Sequence, residues 1–302
     1  MTFTNKNTRI YFFFTVALLV SVQGYTQKKD VVENSVFWEV SGNGLKESSY
    51  LFGTFHLMGK LYIDSLTNVM SKFNQAKTVA GELIIDSTMT SRVMELSLLK
   101  DTTLNQLLSP EDYKKIAVLF QEYTGYDMKL FNRFNPLTIQ IFMLSSLQKK
   151  FYNIDPANDV AMDLYFQQRG KKSGKEVIGL ETFEEQAYAS MNQFSYKRQA
   201  ELLVISLRES DKIADQLKEL NAAYRAGNIQ ELIKKESFDH YTDQEEAVML
   251  DNRNKNWMQK LPDLFKQHAT FVAVGAGHLP GDNGLITLLR KAGYTVRPLK
   301  TK

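Results

Sequence analysis

The sequence predicts an α/β (or α+β) protein with one central mixed sheet and a helical cap inserted in the middle of the chain. Three observations predict it. Strand-like runs gather toward the two ends of the chain, and helical periodicity fills most of the stretch between them. A short pattern, G-x-x-H-L, occurs twice, as Gly53-Thr-Phe-His56-Leu57 and as Gly275-Ala-Gly-His278-Leu279. Each copy closes an expected strand.

Taken in order, the chain begins with a weakly basic segment containing Lys6 and Arg9, followed by an apolar run from Ile10 to Val22. That run is shorter than the roughly 20 residues that span a bilayer. Small residues follow it, so residues 1–27 read as a secretory signal peptide, cut after Gly24 or after Gln27. The expected mature chain, residues 28–302, is one domain with a cap over about residues 90–260, located in the periplasm or secreted.

Val36–Val40 alternates like a strand, Ser41–Gly44 is turn chemistry, and Ser49–His56 returns, giving a hairpin over residues 36–56. Leu66, Val69, Met70 and Phe73 recur at helical spacing. Thr78–Ile85 is a short apolar strand interrupted by one carboxylate, Glu82. Ser109-Pro110-Glu111 starts a helix with Ser109 as its cap. Further helices are expected over 133–150 and 158–169. Lys175–Glu181 is a strand that ends in a carboxylate. Ser195–Ala226 reads as one long helix and Asp243–Gln259 as another, closed by Pro262. Thr270–Gly275 is the last core strand, then Asp282 or Asn283 caps a helix. Thr295–Leu299 is a final strand, placed at an edge by Pro298.

Composition narrows the function. Lys and Arg number 37 against 34 Asp and Glu, a formal +3. The first 27 residues hold two of those bases and no acid, so the mature balance is near neutral. That argues against a nucleic-acid surface. There is no cysteine, which excludes thiolate metal sites, cysteine nucleophiles, disulfides and a lipid-anchored cysteine. No H-E-x-x-H, G-x-S-x-G or Walker loop occurs. Gly275, Gly277 and Gly281 imitate a dinucleotide loop, but the spacing is one residue too long and no full βαβ unit follows.

Imidazole and carboxylate side chains remain. The four histidines are His56, His240, His268 and His278. His240 and His268 lie in polar surroundings and read as solvated. His56 and His278, at strand ends, face the side of a sheet where ligands bind. Imidazole is the commonest metal ligand and carboxylate a usual companion. Glu82 supplies that carboxylate on an otherwise apolar strand, where an unpaired charge is costly.

These residues belong to a wider set of motifs. They are Leu51–Leu57, Ala80-Gly-Glu-Leu83, Gly174-Lys-Glu-Val-Ile-Gly-Leu-Glu-Thr182, Arg253-Asn-Lys-Asn-Trp-Met258 and Val274–Gly281. In this order, over about residues 36–299, they make the chain resemble the TraB/PrgY/GumN family, which includes the Tiki proteases. The resemblance implies an erythromycin-esterase/ChaN-like fold and a divalent metal: manganese, cobalt or zinc. It makes His56, Glu82 and His278 the expected metal ligands, with Glu82, Arg253 and Glu181 as catalytic candidates. Arg253 would stabilise an oxyanion, its bland alternative being a surface ion pair with Asp251. Glu82 is a ligand, or instead the general base with Glu181 as ligand; otherwise Glu181 is a structural carboxylate capping the helix near Thr182. The expected function is an exported metal-dependent hydrolase of peptides or proteins. The alternative is a non-catalytic protein that binds a peptide, a glycan precursor or haem, with Phe131, Phe134, Phe142 and Tyr165 lining the pocket or simply packing the core.

Overall fold

The computed structural model describes residues 34–55, 58–152, 160–235 and 240–302. The expected leader and His56 lie outside the described residues. Six strands are described: β1 (Phe37–Gly42), β2 (Ser49–Thr54), β3 (Thr78–Gly81), β4 (Glu176–Gly179), β5 (Thr270–Gly275) and β6 (Tyr294–Pro298). They form one mixed sheet in the order β4-β3-β5-β2-β1-β6. The four strands from β4 to β2 run parallel. β1 pairs antiparallel with both β2 and β6.

The expected hairpin is present as β1 and β2. Its turn is left-handed at Gly42, Asn43 and Gly44, with φ of 77°, 46° and 78°. Glycine and asparagine tolerate that region best, which is why this sequence reverses here. Along the central strands successive residues are buried on alternate faces, with a period of two. Phe52, Val79, Phe271 and Ala273 join one apolar cluster, while Leu51, Ala80, Val272 and Val274 join the other. Both faces are therefore buried, as parallel strands require.

Helices Thr67–Gln75, Met162–Lys172 and Ser210–Arg225 cover the first face through Phe73, Phe166 and Tyr224. Trp257, Phe265 and Leu289 cover the second. Helices Pro110–Thr124, Pro136–Tyr152 and Tyr196–Arg208 contribute to a third apolar cluster around Ile116, Phe120, Ile139 and Leu203. β4 lies within the stretch of sequence expected to be cap, so the chain returns to the sheet midway.

Several boundaries differ from the sequence reading. Glu82 lies just beyond β3, not within a strand. Ser195–Ala226 is two helices, Tyr196–Arg208 and Ser210–Arg225, broken at Glu209. Asp243–Gln259 is interrupted by a π-helical turn at Ala247–Asp251. Pro262 opens helix Leu261–Gln267, where its missing N–H costs nothing. The last helix, Leu285–Lys291, is capped by Gly284 with no side-chain bond, and Asn283 instead donates to Asp251 (2.7 Å).

The four aromatic candidates share no pocket. Phe131, Phe134 and Phe142 pack in the helical cluster, with Phe131 and Phe142 centroids 5.3 Å apart. Tyr165 packs against the sheet and donates its hydroxyl to Asp64 (2.7 Å).

Candidate functional site

The parallel strands deliver the site. Thr54 is paired with Gly275, and Gly81 with both Ala273 and Gly179, so the carboxyl ends of β2, β3, β4 and β5 lie side by side. In parallel α/β sheets this is the edge where ligands bind. Glu82 follows β3 by one residue and Glu181 follows β4 by two. His278 ends the short turn Ala276–His278 directly after β5.

Two glycines allow the close approach. A Cβ on Gly275 would lie 3.2 Å from Glu82 Oε1; without one, the Gly275 N–H donates to that oxygen at 2.8 Å. A Cβ on Gly53 would lie 3.0 Å from Ala276 Cα and from a Leu279 methyl. The glycine of each G-x-x-H-L pattern thus lets a neighbouring segment press against the strand end.

Arg253, on helix Asn252–Trp257, joins the loops into one cluster. Its Nε donates to Glu181 Oε2 (2.9 Å), and its Nη2 donates to Glu181 Oε1 (2.6 Å) and to Glu82 Oε2 (2.7 Å). Its Nη1 lies 3.0 Å from His278 Nε2 and donates to the Met249 carbonyl. The Arg253 side chain is 13% exposed and Glu181 4%, so this is no surface pair with Asp251. Glu181 is not the helix cap either. Thr182 and Glu185 form a capping box that starts helix Phe183–Ala187, leaving the Glu181 carboxylate to Arg253 and to the Trp257 indole N–H (3.2 Å).

Burial pushes the Glu181 carboxyl above the usual carboxylate range, and the Arg253 hydrogen bonds and charge offset only part of that. For Arg253 burial works against the charge, but Glu181 and Glu82 outweigh it and hold the guanidinium more firmly protonated.

The His278 ring is oriented by Asn254, 1% exposed. The Asn254 amide nitrogen donates to two backbone carbonyls, of His278 (3.2 Å) and Asn283 (2.9 Å). Its oxygen therefore faces His278 Nδ1, at 2.8 Å. That geometry assigns the ring proton to Nδ1 and leaves a lone pair on Nε2. The short contact from Arg253 Nη1 to Nε2 agrees, since a guanidinium only donates. Trp257 packs on the ring, centroid to centroid 4.4 Å.

A divalent cation can be tested against these atoms. His278 Nε2 and Glu82 Oε1 are 3.8 Å apart, close to the roughly 3–3.5 Å between two ligands at about 2.1 Å from one ion. The second nitrogen of His278 is held by a hydrogen bond, as in metal-ligating histidines. With both carboxyls ionised the cluster of Glu82, Glu181, Arg253 and neutral His278 carries one net negative charge. The donor types fit, and the Nε2 lone pair would pass to the cation only as Arg253 Nη1, which now donates to it, turns away. Among the described residues no group of three or more His, Cys, Asp or Glu gathers to hold a metal, and the third expected ligand, His56, lies outside them.

Gln186 and Asn254 were absent from the sequence reading as site residues. Gln186 donates to Glu82 Oε2 at 2.7 Å. A lone amide on a helix has no periodic signal, although Asn254 does stand beside Arg253 in a quoted motif. His240 is half-buried against Glu209, its Nε2 3.1 Å from a carboxylate oxygen, and His268 is exposed.

The model of the TraB/PrgY/gumN family matches residues 36–298. The chain is similar to a protein named Metalloprotease TIKI homolog from Amphimedon queenslandica, at 23% identity over 93% of this chain and 65% of that protein. It is also similar to Metalloprotease TIKI2 from Danio rerio, at 22% identity over 87% of this chain and 60% of that protein. The chain thus spans less than two thirds of the length of these relatives. No solved structure matches.

Proposed function

The chain belongs to the TraB/PrgY/gumN family, and on that premise we propose that it is an exported metal-dependent hydrolase of peptide or protein substrates. One observation carries the reading: Glu82, Glu181, Arg253 and His278 meet at the carboxyl ends of three parallel strands. The names of the two relatives support the metal and the substrate class.

His56, Glu82 and His278 would hold the cation. A divalent ion supplies Lewis acidity, which polarises a carbonyl and makes water a nucleophile near neutral pH. The protein's own groups do the rest. Asn254 holds the ring proton on Nδ1 and so keeps His278 Nε2, 3.8 Å from Glu82 Oε1, unprotonated as an acceptor, a role Arg253 Nη1 now satisfies. Glu82 accepts from Gly275, Gln186 and Arg253, which suits an anchored ligand more than a mobile proton acceptor. Arg253, held in a fork by Glu181, presents a fixed positive charge to an oxyanion in a site largely shielded from water, where such charge acts most strongly. Trp257 shields the imidazole and the Glu181 carboxylate.

The non-catalytic reading also has one observation in its favour. The Arg253 guanidinium already contacts both carboxylates and the imidazole, so the cluster is largely satisfied by protein groups alone. Hydrolysis of a peptide library decides between the two. Turnover lost with chelator and restored by manganese, cobalt or zinc supports the hydrolase. Binding of peptide, glycan precursor or haem with no turnover under any metal supports the alternative.

A further inference from the structure

A cavity of about 600 Å³, within the size range of ligand pockets, is lined by residues of several helical segments. Two of its walls come from the segments that continue the site loops, and the rest from Asn135 and residues between Asn192 and Gln199. Helix Met89–Ser97 follows β3 and Glu82; helix Phe183–Ala187 follows β4 and Glu181. That second helix faces both ways. Gln186 donates to Glu82, while Phe183 and Glu184, three and two positions earlier, line the cavity. The separation is about one helical turn, ~5 Å. Arg92 fastens the two walls together: it ion-pairs with Glu184, and its guanidinium carbon lies 4.0 Å from the centroid of the Phe183 ring.

The lining is mixed. Leu96, Phe183 and Phe194 are apolar, and charges of both signs balance, Arg92 and Lys100 against Glu95 and Glu184. A balanced rim selects no small anion or cation by charge, but it suits a chain that offers side chains to apolar walls and amides to polar groups. Gln199, 2% exposed, also lines the cavity. Its amide nitrogen donates to the Phe194 carbonyl (3.1 Å), which leaves its oxygen buried without a hydrogen-bond partner. An unmatched buried acceptor costs about 1–3 kcal/mol. Gln199 lines the cavity while its oxygen is buried, so a ligand N–H pairs with that oxygen only where the Gln199 amide turns toward the cavity.

We infer that this cavity is the subsite for an extended peptide, seating a side chain against Phe183 and Phe194 while a main-chain N–H satisfies Gln199. The inference rests on the hydrolase reading for its substrate class, but its binding test needs no turnover. Full-length Glu82→Gln protein is irradiated with an end-capped decapeptide library carrying a benzophenone side chain, and the cross-linked residues are mapped by mass spectrometry. Cross-links should fall within residues 92–100 and 183–199. Asn192→Trp and Lys100→Trp, both at exposed cavity positions, should each cut that yield at least roughly tenfold with melting temperature preserved. On the otherwise unaltered protein with manganese, the same plugs should raise KM for long peptides by about tenfold and leave kcat unchanged. Cross-links elsewhere, no cross-links, or a yield indifferent to both plugs overturns the inference. Cavity cross-links with no hydrolysis under any metal would instead remove the hydrolase reading and leave the peptide site standing.

Discussion

Asn254 determines which nitrogen of His278 carries the proton, and so which can coordinate. In Asn254→Leu, two backbone carbonyls and the Nδ1–H lose their partner in a buried site. We expect a loss of about 2–3 kcal/mol in urea unfolding, and nitrogen NMR that shows both ring tautomers where the unaltered protein shows one. A single unchanged tautomer in the variant would remove Asn254 from its orienting role. Arg253→Leu strands two carboxylates against an apolar group, and should cost about 3–5 kcal/mol; a loss below about 1 kcal/mol would mean the cluster is more solvated than its burial indicates. Glu181 gives a pH dependence. Burial raises its pKa in the folded protein above the ordinary glutamate value of 4.5. The folded state therefore binds this proton more tightly than the unfolded chain. Its contribution is fully present below 4.5 and is lost as pH rises through the raised value. Urea midpoints of the metal-free protein, followed from about pH 4 to about pH 7, should show a downward component that Glu181→Gln removes; identical slopes in the two proteins would refute it.

Whole elements matter through where they stop. β2 ends against Leu279 and Ala276, so Gly53→Val should push the His278 turn away from the sheet and cost about 1–3 kcal/mol by overpacking. The buried Tyr224 hydroxyl ties helix Ser210–Arg225 to the same strand end through the Gly53 carbonyl (2.7 Å). The strands were largely legible in the sequence because alternation and short apolar runs are local signals. Thr270–Gly275 matches its expected bounds, and the hairpin is where Ser41–Gly44 placed it. Helix interruptions were not legible. Glu209 continues the amphipathic pattern across a break, and the π turn at Ala247–Asp251 has an ordinary helical composition. The site was partly legible. Glu82, Glu181, Arg253 and His278 come together as a group, but Gln186 and Trp257 enter only through contacts across long sequence separations.

At the scale of the molecule, the parallel order β4-β3-β5-β2 brings loops from distant parts of the chain to one edge. A packed sheet with both faces buried keeps those loops in register and leaves its carboxyl end for chemistry. On the proposed function, His56, Glu82 and His278 would together hold a divalent cation. Elemental analysis of the purified full-length protein tests it most directly, comparing the unaltered chain with His56→Ala and His278→Ala. The expected result is about one equivalent of manganese, cobalt or zinc in the unaltered protein and near-complete loss in each variant, with folding retained. Equal metal content in all three, or peptide hydrolysis by a protein that holds no metal, would contradict it.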